Sequence, residues 1–280
     1  PMTDGFLDFS GRHVFVAGGT SGINLGIARA FATHGARTTV ISRSEDRVAA
    51  AVETLRAYSP DGSARGHSAD VRDPDRVEAV IGEACAAYGE IDVLISGAAG
   101  NFLALAKDMS PNAFKAVVDI DLLGTFHVLR HGYARLRKPG ATVINISAPQ
   151  AFVAGHAQSH VSAAKAGVDM LTRSLAIEWG EDGIRVNSIV PGMIEETEGF
   201  ARLAPKGAGR ERLKATVPLG RLGQASDVAN LALFLASPLA DYVSGAVIPV
   251  DGGWSLQGYS LLASKAFAAA ARRGRPDEQD

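Results

Sequence analysis

The sequence predicts an α/β fold: one doubly wound parallel sheet with helices on both faces, built as a single domain over residues 1–280. Three observations predict it. Short runs rich in Val, Ile and Thr alternate with longer stretches whose apolar residues recur at helical spacing. The short runs are apolar almost throughout, as strands covered on both faces are. No shift of composition divides the chain, and regular β–α alternation favours parallel pairing.

Taken in order, "HVFVAGG" reads as a strand and "INLGIARAFATHG" as a helix closed by Gly35. "ARTTVISR" is the second strand and "SEDRVAAAVETLRAY" the helix after it. A strand follows around Arg65 to Ala69, then a helix from Asp75 to Tyr88 and the strand "IDVLISG". Helices are expected around 110–137, then the strand "ATVINIS", a helix from Ser162 to Gly180 and the strand "IRVNSIV". "ASDVANLALFLAS" and "AVIPVDGG" complete the alternation as helix and strand. Two regions break the rhythm. Residues 193–220 are rich in Gly, Pro and charge and predict a mobile lid. The end of the chain predicts an amphipathic helix and a polar tail over 272–280.

Composition excludes several classes. A formal net charge of −2 gives no reason to expect a nucleic acid or an anionic membrane as partner. No apolar run is long enough to span a bilayer, and the N-terminus lacks the basic and apolar parts of a secretory signal. The terminal "EQD" is not an SKL-type peroxisomal address, so a cytoplasmic location is the default expectation. The single cysteine, Cys85, lies in a predicted helix and reads as a buried, inert thiol. His156 and His160 are four residues apart, but no Cys or acid cluster joins them, so no metal is expected.

The chemistry begins at "VFVAGGTSGINLGIA", between the first strand and the first helix. Small residues there let the backbone approach a pyrophosphate, and the amides of the helix start favour its charge. The candidates are Gly18, Thr20, Ser21, Gly22 and Ile23. The spacing is not the GxGxxG of ordinary dinucleotide-binding dehydrogenases. It resembles the TGxxxGxG loop of the short-chain dehydrogenase/reductase family, with Ala17 for Thr and Asn24 for the last Gly. Asn tolerates left-handed backbone angles, which would make the second exchange survivable.

The resemblance continues along the chain and implies a Rossmann-type fold. Asp70-Val71 resembles the family's pair beside the adenine ring, and "SGAAG", with Ala98 and Ala99, stands where the family has NNAG. Pro191-Gly192, with Ile194 after it, resembles the PG motif by the nicotinamide; "VDGG" resembles the last strand. Ser147 ends the fifth strand. The second strand ends in Ser42 and Arg43, where NAD enzymes place a carboxylate for the ribose 2′-hydroxyl. A missing acid and an added guanidinium favour the 2′-phosphate of NADP(H). The alternative is a solvated surface arginine.

Most members of that family use Ser, Tyr and Lys, with Tyr-x3-Lys supplying a proton. Here Val161 stands four residues before Lys165, and Ala148 where the serine would align. One subgroup works without the tyrosine, and this sequence is similar to it: the 2,4-dienoyl-CoA reductases of peroxisomal type. "AAGNF", "MSPNAFKAVVDIDLLGTF", "HVSAAKAGVDMLTRSLAIEWG", "PGMIEETEG" and "SPLADYVSGAV" carry the similarity, which covers roughly residues 8–255. Hydride addition to a conjugated dienoyl thioester makes a dienolate and not an alkoxide, so no phenol need be poised beside it.

The resemblance implies the roles. Asp121, just before "LLG", supplies the proton through water, and Asp119 should point differently. Lys165 bridges the nicotinamide ribose and lowers the energy of developing anions. Asn101 donates to the thioester oxygen, and Phe102, Gln150 and His160 line the substrate site. Two roles stay open for His160: second donor, or wall of the acyl channel. Gln150 stands near the position of the mitochondrial type's tyrosine, which favours the peroxisomal-type chemistry or none. Arg202, Lys206, Arg210, Arg212 and Lys214 in the lid either meet coenzyme A phosphates or form a solvated loop. The expected partner is a small acyl-CoA, and the family's habit implies a homotetramer. Two alternatives stand beside dienoyl-CoA reduction: reduction of another enone or carbonyl, and a catalytically silent NADP-binding subunit.

Overall fold

The computed structural model describes residues 5, 7–195, 197 and 208–256. Its centre is one sheet of seven parallel strands: β1 (His13–Ala17), β2 (Arg37–Ser42), β3 (Ala64–Ser68), β4 (Val93–Ser96), β5 (Thr142–Ile146), β6 (Arg185–Pro191) and β7 (Val247–Val250). The order is β3-β2-β1-β4-β5-β6-β7. The chain winds outward one way from β1 and then the other way from β4. Between those two strands the loops diverge and leave a crevice at the carboxyl ends.

The strands are buried on both faces, which is why their sequences lack polar alternation: β1, β4 and β5 have no exposed residue. One core gathers Val14, Val16, Ile27, Phe31, Val228 and Leu233 on one side of the sheet. The other gathers Phe15, Ile41, Val77, Ile81, Leu94 and Leu129. Fully burying a side chain of this size contributes about 1.5–3 kcal/mol, so the two cores fix which face each helix covers.

The helices are α1 (Gly22–Thr33), α2 (Glu45–Tyr58), α3 (Pro74–Tyr88), α4 (Pro111–Val118), α5 (Gly124–Tyr133), α6 (Ser159–Glu178), α7 (Ala208–Lys214) and α8 (Ala225–Ala236). Ser44 and Asp73 cap α2 and α3, accepting from the amides of Arg47 and Arg76. Between α4 and α5 the chain makes a π-helical turn, Asp119–Leu123, so that 111–133 run as one helix with a widened middle. The α6 helix starts at Ser159, three residues before the sequence expectation: Gln158 O already accepts from Ser162 N–H at 2.9 Å. Of the segment expected to be a lid, residues 193–195, 197 and 208–220 are described; Arg202 and Lys206 lie outside the described residues, as do the expected C-terminal helix and tail.

Candidate active site

A cleft of about 850 Å³ opens at the carboxyl ends of the strands. Its first wall is the β1–α1 turn. Gly18 has φ +76°, and a Cβ there would lie 2.8 Å from the Ala98 Cα, so only glycine permits this approach of two loops. Ser21 precedes α1 without a side-chain cap, leaving the first-turn amides free of any side-chain acceptor from it. Thr20, Gly22 and Ile23 line the same wall.

Asn24 departs from the sequence expectation. It lies inside α1 with no left-handed angle; Ala157 is the one non-glycine residue of positive φ among those described. Its side chain explains the exchange instead. Asn24 Nδ2 donates to Gly97 O at 2.7 Å and Gly18 O at 3.3 Å, stapling the glycine turn to the end of β4. The amide does by hydrogen bonding what a glycine would do by yielding space.

At the far end of the cleft stand Ser42 and two guanidiniums, Arg43 and Arg47. Sequence reading missed Arg47, whose signal was its place four residues after Arg43 at the start of α2. Asp70 also lines this end. Arg72 holds its carboxyl below the ordinary range through paired hydrogen bonds, the shortest 2.6 Å. Val71, Ala98, Ala99, Ser147, Pro191 and Gly192 line the cleft as expected. Ile194 does not: it is buried and pairs with Gly223 in an isolated bridge beyond the wall. Closely approaching small residues, open helix-start amides and two cations where an acid would stand are a donor set that fits a phosphorylated dinucleotide.

The middle of the cleft holds the chemistry. Asp121 is 1% exposed and Lys165 4%, and the Lys165 Nζ stands 3.4 Å from Asp121 Oδ2. Lys165 also donates to Ile146 O at 3.0 Å, and Asp121 Oδ1 accepts from Gly100 N–H at 2.7 Å. Asp121 points inward from the π turn, while Asp119, two residues before and about half a turn round the helix, pairs with Lys115 on the surface side. Val161 and Ala148 line the cleft where the family's phenol and serine hydroxyl would stand, so no hydroxyl comes from either position. One turn beyond Lys165, the buried Asp169 accepts from Ser188 Oγ at 3.1 Å, and burial pushes its carboxyl up. Sequence reading did not single it out.

Asn101 also lines the cleft. Phe102, Gln150 and His160, expected at the substrate site, are not among the residues that line the cleft; the Phe102 and His160 rings are 4.4 Å apart. His160 is fully buried, and neither ring nitrogen has a hydrogen-bond partner among the described residues. Gln150 is bonded to Gln158, a buried residue that sequence reading also missed.

Comparison with known proteins extends these observations. A sequence profile described as enoyl-(acyl carrier protein) reductase matches residues 17–255. Peroxisomal 2,4-dienoyl-CoA reductase of Rattus norvegicus, named as (3E)-enoyl-CoA-producing, is 47% identical over 240 residues, covering 85% of this chain and 82% of the relative. The like-named protein of Saccharomyces cerevisiae is 39% identical over 254 residues, 90% of this chain and 87% of its own. A Bacillus subtilis protein named probable 2,4-dienoyl-CoA reductase, (2E)-enoyl-CoA-producing, is 38% identical over 253 residues, 89% and 98%. Among solved structures, levodione reductase matches with a TM-score of 0.85 at 31% identity, over 90% of this chain and 100% of that one. A short chain dehydrogenase from Bacillus anthracis matches with 0.81 at 36%, over 89% and 98%. The rat and yeast names overturn the cytoplasmic expectation. That expectation rested on missing targeting signals, and a missing signal does not place a protein.

Proposed function

As the chain belongs to the short-chain dehydrogenase/reductase family, we propose that it reduces a conjugated 2,4-dienoyl-CoA thioester to a 3-enoyl-CoA with NADPH. The observation that carries this reading is the buried Asp121–Lys165 pair in a cleft whose phenol position is filled by Val161. Such a site lacks the group that quenches an alkoxide but keeps a carboxyl and a cation beside the place where charge would develop.

Gly18, Thr20, Ser21, Gly22 and Ile23 hold the pyrophosphate, Asp70 and Val71 the adenine end, and Ala98, Ala99, Ser147, Pro191 and Gly192 the nicotinamide end. Arg43 and Arg47 meet the 2′-phosphate. The bound nucleotide supplies a hydride to the δ carbon of the dienoyl group. Asn101 donates to the thioester oxygen as negative charge spreads onto it, which stabilises a dienolate where it forms. Lys165 offsets that charge, and Asp121, paired with it as a carboxylate, relays a proton from solvent through water to the α carbon, leaving the 3-enoyl product. Protonation at the γ carbon would give the 2-enoyl isomer instead. Phe102, Gln150 and His160 support the acyl side. Exposed Phe126, Met170 and Ile177 on α5 and α6 support assembly as a homotetramer through these helices.

The test is loss of NADPH absorbance with 2,4-hexadienoyl-CoA against a 3-oxoacyl-CoA control, with the product double bond located by NMR. Turnover of the dienoyl thioester alone, to a 3-enoyl product, is expected. Turnover of the oxoacyl thioester alone would make the protein a carbonyl reductase, and nucleotide binding without turnover of either would make it a silent subunit.

A further inference from the structure

Gln158 stands at the N-cap of α6, where a polar side chain ordinarily accepts from the first-turn amides. It makes no such bond. Its side chain turns inward, 8% exposed, and lies between two other amides. Gln150 Nε2 donates to Gln158 Oε1 at 2.9 Å, and Gln158 Nε2 donates to Asn101 Oδ1 at 3.4 Å.

The surrounding backbone is shaped to this arrangement. Ala157 holds φ +59°, a left-handed angle that a Cβ disfavours. Its carbonyl accepts from Ala104 N–H at 3.0 Å, tying this loop to the segment that carries Asn101. A Cβ on Gly155 would come within 2.9 Å of Gln158 Oε1 and 3.2 Å of Gln150 Cγ, so the position is kept bare beside the two amides.

A primary amide has a donor end and an acceptor end, and a bond to one end decides where the other points. The three amides run in one sense, each donating to the next: Gln150 to Gln158, Gln158 to Asn101. The acceptor end of Asn101 is thereby taken, and its N–H end is left for the cleft. We propose that Gln158 is a positioning residue that fixes the Asn101 amide as a donor toward the substrate's thioester oxygen. This rests on the dienoyl-CoA reading given above. Without Gln158 nothing holds the Asn101 amide in that sense, and the flipped amide presents an oxygen to an oxygen that is gaining negative charge.

The test is a double-mutant cycle with Gln158→Leu and Asn101→Ala, reading kcat and KM for 2,4-hexadienoyl-CoA, the NADPH dissociation constant and Tm. In the otherwise native protein, Gln158→Leu should lower kcat about 10–100-fold with NADPH binding unchanged, the scale of a mispositioned or lost oxyanion donor. In the Asn101→Ala background the same substitution should change kcat less than about twofold, because the two residues act as a unit. Should Gln158→Leu fail to fold, Gln158→Glu, which keeps the shape and removes the donated hydrogen bond, is read in the same cycle. An active native protein with additive losses would overturn the positioning role alone. A native protein that leaves the dienoyl thioester unreduced would overturn the functional reading and this role with it.

Discussion

Asp121 and Lys165 face each other in the cleft with Oδ2 and Nζ 3.4 Å apart, their side chains 1% and 5% exposed. Taking either charge out of water alone would cost several kcal/mol, so each is the condition of the other's burial. The remaining bonds are to backbone, Gly100 N–H on the aspartate and Ile146 O on the lysine. Main chain of the loop after β4 and of the end of β5 therefore fixes where the pair sits.

Asp121→Asn keeps the shape and the acceptor for Gly100 N–H but removes the carboxylate that relays the proton. Turnover of 2,4-hexadienoyl-CoA should fall by about 10²–10⁴, the usual worth of a positioned acid. The NADPH dissociation constant, read by fluorescence titration, should stay put. Native turnover in this variant would remove Asp121 from the mechanism.

Lys165→Met leaves the aspartate buried and unpaired. Urea unfolding should show a loss of about 3–5 kcal/mol, the cost of an orphaned buried charge. Adding Asp121→Asn to the same chain should recover part of it. If the pair instead contributed independently, the two losses would sum.

Arg43→Ala should raise the KM for NADPH about 10–100-fold and leave that for NADH nearly unchanged, since a hydrogen bond to a charged group is worth about 1.5–3 kcal/mol. Arg47→Ala should act the same way, more weakly if it lies outside the first contact. Equal effects on both nucleotides would remove the 2′-phosphate from the account.

The Asp169 carboxyl is pushed up from its ordinary 3.8 mainly by burial, with Ser147, Ser188, Arg173 and Lys165 pulling back. The folded protein thus holds this proton to higher pH than the unfolded chain does. Its contribution to stability is full below 3.8 and is lost as pH rises through the raised value. The stability difference between Asp169→Asn and the native protein, measured by urea unfolding across the acid range, should shift in favour of the variant as pH rises through that window. A difference that is flat with pH would show that the carboxyl titrates alike folded and unfolded.

Asn24→Gly restores the residue of the related loop and should nonetheless weaken the site. It deletes the bonds to Gly97 O and Gly18 O and places glycine inside a helix, itself unfavourable by about 1 kcal/mol. A lower Tm and several-fold weaker NADPH binding are expected. An unchanged dissociation constant would mean that the turn holds its shape without the staple.

The sheet was legible because burial on both faces writes itself into composition: "VFVA", "VLIS" and "TVINI" carry little polar alternation to confuse the period. The cleft was legible where glycine spacing and a lone lysine stand against ordinary background. Gln158 was not, because a glutamine ahead of a helix looks the same in sequence whether its amide meets water or two other amides. Asn24 was noticed but given the wrong reason, since a backbone preference was invoked where a side-chain bond is made. Ile194 is buried in a bridge to Gly223 and not among the cleft-lining residues, a pairing that its place after Pro191-Gly192 does not disclose.

Asp119 and Asp121 stand two residues apart in the widened turn Asp119–Leu123, one paired with Lys115 and the other buried against Lys165. A helix advances about 100° per residue, so the extra residue in this turn works as a rotational offset between α4 and α5. Shortening the segment by one amino acid other than the acid would leave Asp121, Lys165 and every strand present, yet swing the acid out of line with the lysine it serves. Catalytic competence in this chain is thus a matter of angular phase along one helix, and mere possession of the right residues does not secure it.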